Sequence, residues 1–287
     1  MTPIFDNDAR PKLAWITGAS SGIGRAVALK LADEGWTVAA SARSLNKLAE
    51  LEALRPNQIF AFPVDVTEQN AVASAVSKIE DNLGPISLTI LSAGGYRRDG
   101  VTRFDGKALA DVIMLNVVGT GYCMEAVIPR MVQRQAGHIA VVSSVAGYVG
   151  LPGGAFYGAT KAALINLCEG LLPELERYGV KLTVINPGFV DTPLTQKNDF
   201  PMPFLISVEE AADAIIKGLG RGRFEIIFPW KMAAAIKLLR ALPRPLLFMI
   251  TRKMLRKLCR VVIQACNSLN CTTSTRFVRK PTAQYCR

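Results

Sequence analysis

A short apolar run, Leu13-Ala14-Trp15-Ile16, enters Thr17-Gly18-Ala19-Ser20-Ser21-Gly22-Ile23-Gly24 and leaves as Arg25-Ala26-Val27-Ala28-Leu29-Lys30-Leu31-Ala32, which has helical periodicity. Strand, glycine-rich turn and helix in immediate succession constrain this chain more than any other stretch. Gly18 permits a tight turn, Gly22 lets backbone come close to a pyrophosphate, and Gly24 lets the helix pack on the strand. The helix N-terminus then offers free N–H groups and a partial positive charge to phosphates, with Ser20, Ser21 and Ile23 filling the turn. The spacing is G-x-x-x-G-x-G, not G-x-G-x-x-G. The stretch predicts a dinucleotide-binding α/β fold.

A second feature lies far along the chain. Tyr157 and Lys161 stand four apart in Ala155-Phe156-Tyr157-Gly158-Ala159-Thr160-Lys161-Ala162-Ala163-Leu164, a run of helix formers. Positions i and i+4 share a helix face, which makes the phenol and the ammonium neighbours. Free tyrosine and lysine titrate near ~10 and ~10.4, so neither is useful alone at neutral pH. A cation beside a phenol favours the phenolate, and the expectation is a tyrosine brought toward working pH as a general acid and base.

With both features in order, the chain resembles the classical short-chain dehydrogenase/reductase family from about Lys12 to about Pro229. The resemblance implies a Rossmann-type doubly wound parallel sheet of about seven strands with helices on both faces. It also implies a catalytic set of Asn116, Ser144, Tyr157 and Lys161. Asn116 lies in Asn116-Val117-Val118-Gly119, within a helix expected over Asp111 to Gln135 and interrupted at Pro129. In the family reading Asn116 distorts that helix and holds a water joined to the lysine. Ser144, thirteen residues before Tyr157, would donate to a substrate oxygen, with Ser143 its adjacent rival.

The same resemblance assigns cofactor contacts. Asp65 and Val66, at the end of a strand expected over Ile59 to Val66, would meet the adenine, and Asp65 also suits an N-cap for the helix that follows. Ala93 and Gly94 keep the family pattern after the fourth strand, while Leu91 and Ser92 replace its two asparagines. Pro187 and Gly188 fall on the nicotinamide face, and Val190 and Thr192 on its carboxamide. At the end of the second strand the acidic position that would accept from a ribose hydroxyl is Ala42, followed by Arg43. A neutral residue and then a cation suit a 2′-phosphate, so NADP(H) is expected over NAD(H). Pro193 to Ile206, rich in Pro and Phe, reads as a substrate lid and favours an apolar carbonyl or alcohol.

Composition sets the context. His138 is the one histidine, ahead of a strand and structural, and no Cys/His cluster suggests a metal. Cys123 and Cys168 stand alone in apolar helical patterns, which is buried-thiol usage. The polar N-terminus has no signal-peptide core, so a cytoplasmic setting is expected. Charge is divided unevenly: Ile226 to Arg287 holds thirteen Lys or Arg and no Asp or Glu, while Met1 to Glu225 has 21 basic against 23 acidic residues.

The chain is therefore expected to divide into a catalytic domain, 1–229, a basic amphipathic helical extension, 230–263, and a disordered tail, 264–287. The extension suits a membrane surface, with packing on the domain or a second subunit as the other reading; nucleic acid has charge but no motif behind it. The family implies a homo-oligomer, dimer or tetramer. The functional expectation is hydride transfer with a small-molecule carbonyl or secondary alcohol. Its alternative is a non-catalytic dinucleotide-binding scaffold recruited to a membrane or partner through the extension.

Overall fold

The computed structural model describes residues 12–197 and 201–254. The expected tail, the end of the extension after 254, and the middle of the Pro193–Ile206 segment lie outside the described residues. In chain order the elements are β1 (Leu13–Thr17), α1 (Gly22–Asp33), β2 (Thr37–Ser41), α2 (Leu45–Leu54), β3 (Ile59–Ala61), α3 (Gln69–Leu83), β4 (Leu88–Leu91) and α4 (Gly106–Ile113). They continue with α5 (Gly119–Gln133), β5 (Gly137–Val142), α6 (Ala155–Arg177), β6 (Val180–Pro187), α7 (Val208–Gly220), β7 (Glu225–Phe228) and α8 (Trp230–Ala241). Residues 244–254 are also helical. The described residues form two compact units that divide after Lys237.

The seven strands form one parallel sheet in the order β3-β2-β1-β4-β5-β6-β7. This is the expected doubly wound architecture. Strand order reverses between β1 and β4, so a crevice opens there beyond the carboxyl ends of the strands. Both faces of the sheet are covered, which is why β1 reads as a continuous buried run rather than an alternating one. One core layer joins Val27, Leu31, Leu48, Ile215 and Leu219 of α1, α2 and α7 to the sheet. The other joins Val76, Ile79, Val127, Leu164 and Cys168 of α3, α5 and α6. Fully buried Trp15 donates from its indole to Ser41 Oγ at 2.9 Å, and Ser41 donates to the Phe62 carbonyl at 2.7 Å.

Two local expectations are corrected. Regular β3 stops at Ala61 rather than Val66, because Pro63 has no N–H for the ladder; pairing still runs on through the N–H groups of Phe62 and Val64 to Ala40 and Ala42. The helix expected from Asp111 begins at Gly106, capped by Asp105, which accepts from the N–H groups of Lys107 and Ala108. It is interrupted at Met114–Val118, where one turn widens to π geometry, and not at Pro129. Pro129 and Glu125, whose carbonyl loses its helical donor, are both exposed, so solvent can reach that side of α5 and the helix continues.

Glu80 ties the second layer together. It accepts from Arg130 and Arg134 at 2.9 Å each and from the Ile86 N–H at 3.0 Å. Burial raises its carboxyl, but the Ile86 N–H and the two guanidiniums outweigh this and hold it below the ordinary value. Its contribution to stability is therefore complete above the ordinary glutamate range and is lost as pH falls through the depressed native value. Glu80→Gln should cost about 1–3 kcal/mol near neutrality. In urea unfolding that gap should close as pH falls below ~4.3.

Candidate active site

A cleft of about 450 Å³ lies at the reversal of strand order. The glycine turn forms its central wall. Gly18 has φ +68° and Gly22 φ +54°, in the left-handed region. A Cβ on Gly18 would stand 2.9 Å from the Ala93 backbone, and one on Gly24 2.5 Å from the Gly18 carbonyl oxygen. Gly24 thus packs the turn together from behind, while Gly18, Ser20, Ser21, Gly22 and Ile23 line the cleft. Ser21 stands at the N-cap of α1 but makes no side-chain bond to it. The first-turn amides are left for an anion, so the turn fits a dinucleotide pyrophosphate. Thr17 Oγ1, at the end of β1, accepts from the N–H groups of Ser92 and Ala93 and closes the far wall.

The other expected cofactor residues line the same cleft: Arg43, Asp65, Val66, Ala93, Gly94, Pro187, Gly188, Val190 and Thr192. Asp65 does not cap α3, whose N-cap is Glu68; its carboxylate accepts from the N–H and hydroxyl of Thr67. Ser44 and Lys47 also line the Arg43 end, and sequence reasoning passed over both. No helical spacing marks Lys47, because Arg43 precedes the N-cap Ser44 and lies outside α2. Leu115 was missed at the opposite end.

At that end α6 brings Tyr157 and Lys161 together, with the Lys161 Nζ 5.5 Å from the centre of the Tyr157 ring. Lys161 is buried and donates to the Val142 carbonyl of β5 at 2.8 Å. Ser144 stands beside Tyr157 and opposes the rise of its phenol, while its hydroxyl donates to the Pro187 carbonyl at 3.3 Å; Ser143 donates to the Lys161 carbonyl at 2.8 Å. The two serines therefore divide the work: Ser143 fastens α6 to the sheet, and Ser144 faces the phenol. Asn116, at the π turn, is fully buried behind the cleft. Its amide donates to the Gly95 carbonyl and Thr160 Oγ1 at 3.0 Å each, and its oxygen accepts from the Gly95 N–H at 2.8 Å. Tyr96 packs edge-on against Tyr157 at 5.5 Å and donates to the Gly153 carbonyl, which pins the loop before α6.

The electrostatics differ from the sequence expectation. Burial pushes the Tyr157 phenol up to about 12, against the opposing bond from Ser144, and Tyr96 adds to the rise. Burial also pulls Lys161 down to about 8. In the protein alone desolvation wins, and the lysine does not lower the phenol. His138 sits within β5, against Thr183 Oγ1 at 2.8 Å, and is lowered to about 4 by burial, as suits a structural histidine.

A parallel α/β sheet with a glycine-turn cleft ending on a Tyr-x-x-x-Lys pair defines a class of nucleotide-binding fold. The family model described as short chain dehydrogenase matches residues 12–201, and the chain belongs to that family. It is 38% identical, over 85% of its length and 97% of the relative's, to a protein named as an uncharacterized oxidoreductase in Myxococcus xanthus. A short-chain dehydrogenase from Streptomyces avermitilis superposes with a TM-score of 0.73 at 26% identity, covering 80% of this chain and 92% of that one. A short chain dehydrogenase from Burkholderia cenocepacia, solved in complex with NADP, gives 0.72 at 29% identity, covering 81% and 94%.

The depressed lysine makes a signed prediction. Above pH 8 the native Lys161 is largely neutral, whereas the unfolded lysine keeps its proton to about 10.4. Stability of the cofactor-free protein should therefore rise relative to Lys161→Met as pH climbs from 8 to ~10. Urea midpoints across that range measure it.

Proposed function

We propose that the chain is an NADP(H)-dependent oxidoreductase that interconverts an apolar carbonyl and its secondary alcohol, with Tyr157 as general acid and base. One observation carries the reading: a single cleft has Arg43 and Lys47 at one end and Tyr157, Ser144 and Lys161 at the other, with the glycine turn between them. Arg43, Lys47 and the N-terminus of α2, where Ser44 makes no side-chain cap, would hold a 2′-phosphate. Asp65 and Val66 would meet the adenine. Pro187, Gly188, Val190 and Thr192, with Ala93 and Gly94 across the cleft, would face the nicotinamide. The NADP bound to the Burkholderia cenocepacia neighbour supports this choice of cofactor.

Held there, the nicotinamide would supply a hydride to the carbonyl carbon. Ser144 and Tyr157 donate to the oxygen on which negative charge develops, and Tyr157 delivers its proton there. Lys161 offsets the phenolate that remains, since a group near 8 is mostly ammonium at neutral pH. Asn116 acts through Gly95 and Thr160 and holds α6 in place. Tyr96 against the phenol, and Leu115 in the lining of the same cleft, favour an apolar substrate. The buried thiols Cys123 and Cys168 are consistent with a reducing, cytoplasmic setting.

Tyr157→Phe should lower turnover of apolar ketones about 100-fold or more while NADPH affinity stays within about threefold. Retention of near-normal turnover would remove Tyr157 from the chemistry. Arg43→Ala and Lys47→Ala should each weaken NADPH by about 10- to 100-fold and leave NADH nearly unchanged. Equal losses for both nucleotides in a fluorescence titration would refute the 2′-phosphate site.

A further inference from the structure

Helix α8 has two apolar faces. Met232 and Ile236 are buried. Trp230, Ala234, Leu238 and Ala241 all point to solvent, and Trp230 and Leu238 are 73% and 67% exposed. At 3.6 residues per turn these four fall within an arc of about 80°. Lys231 and Lys237 border the arc on its two sides, and Arg240 lies beyond Lys237. The Lys231 ammonium sits 5.9 Å from the centre of a Trp230 ring. The inward face of α8 is already taken: a Cβ on Gly188 would meet Met232 Cγ at 3.0 Å. The outward stripe therefore needs a different partner.

The helix over 244–254, taken by itself, has the same character. Leu246, Phe248 and Met249 are each about half exposed, among Arg244, Arg252 and Lys253. From Ile226 onward no acidic residue balances thirteen basic ones. Gly106–Gln133 is the one stretch among the described residues long and apolar enough to cross a bilayer, but it is α4 and α5, with Val112, Cys123, Val127 and Met131 buried in the protein.

We propose that α8 rests on an anionic lipid bilayer, with Trp230 and Leu238 inserted at the interface and the cations that border the stripe at headgroup level. Aromatic and leucine side chains in a stripe with cations on its borders are what an interfacial helix requires. An anionic surface is the complement of an extension that carries positive charge only. An exposed tryptophan–leucine stripe has no use for a phosphodiester backbone, which argues against nucleic acid as the partner. This proposal is independent of the catalytic reading, because neither Trp230 nor Leu238 lines the cleft.

The protein carries its own reporter. Of its three tryptophans, Trp15 and Trp36 are buried and Trp230 is exposed. Full-length protein titrated with phosphatidylglycerol–phosphatidylcholine vesicles should show a blue shift of tryptophan emission and loss of acrylamide quenching. Binding should be about tenfold or more weaker to pure phosphatidylcholine, and should weaken with salt. Leu238→Ser keeps the reporter and should weaken binding about tenfold; Trp230→Ser, followed by vesicle co-sedimentation, should do the same. Both variants should bind NADPH as the parent does, which separates lost membrane contact from lost folding. The proposal is overturned if anionic vesicles leave Trp230 unchanged at low salt, or if both variants bind like the parent. It is equally overturned if Trp230 is shielded without lipid, whether independently of protein concentration (cover by this chain) or increasingly with it (a second copy), or if DNA alone shifts it.

Discussion

Everything at the catalytic end hangs on the burial of Lys161. Its ammonium donates to Val142 in β5, its carbonyl accepts from Ser143, and the preceding residue, Thr160, accepts from Asn116. Three contacts from neighbouring positions fix α6 to the sheet and to the π turn. The packing leaves no slack: a Cβ on Gly147, in the turn after Ser144, would stand 2.7 Å from the Lys161 carbonyl carbon. Burying an ammonium and a phenol side by side is costly for whichever one carries charge, which is why one is lowered and the other raised. In the protein alone, burial therefore favours the neutral form of each group, the protonated phenol and the uncharged amine.

A parallel economy governs the other end of the cleft. Serine at an N-cap normally accepts from the first turn of its helix. Ser207 does so, in a capping box with Glu210 at the start of α7. Ser21 and Ser44, whose helices begin at the cleft, do not. The two helices that point at the proposed phosphate positions thus leave their amides free, whereas α7 satisfies its own. The same residue type plays opposite parts, and the difference lies in what the helix N-terminus faces.

The topology was legible because it follows from local patterns: a glycine turn between strand and helix, and apolar runs of strand length alternating with helical periodicity. The placement of Gly18, Arg43, Asp65, Pro187 and their companions along one cleft followed from strand order, since each sits at the carboxyl end of a strand. Three things were not legible. The passage of α5 through Pro129 was not legible, because it depends on which carbonyls reach water, whereas the distortion at Asn116 was implied by the family resemblance. The direction of the Tyr157 shift was misjudged because spacing reports proximity and says nothing of desolvation. Lys47 belongs to no motif, and only the fold reveals that the first turn of α2 borders the cleft.

The two faces of α8 bear on where the functional body of the chain ends. Resemblance fades near Pro229, yet the first compact unit runs on to Lys237. Met232 lies over Gly188, beside the proposed nicotinamide position, so the glycine there is required by the helix as much as by a ligand. Lys237 pairs with Glu225, Glu225 with the Tyr148 hydroxyl, and that hydroxyl accepts from Asn186, next to Pro187. A polar chain thus runs from the bordering lysine of the exposed stripe to the turn that forms the cleft floor. The helix that would meet a bilayer on one side packs, on the other, behind Gly188 of the cleft, through Met232.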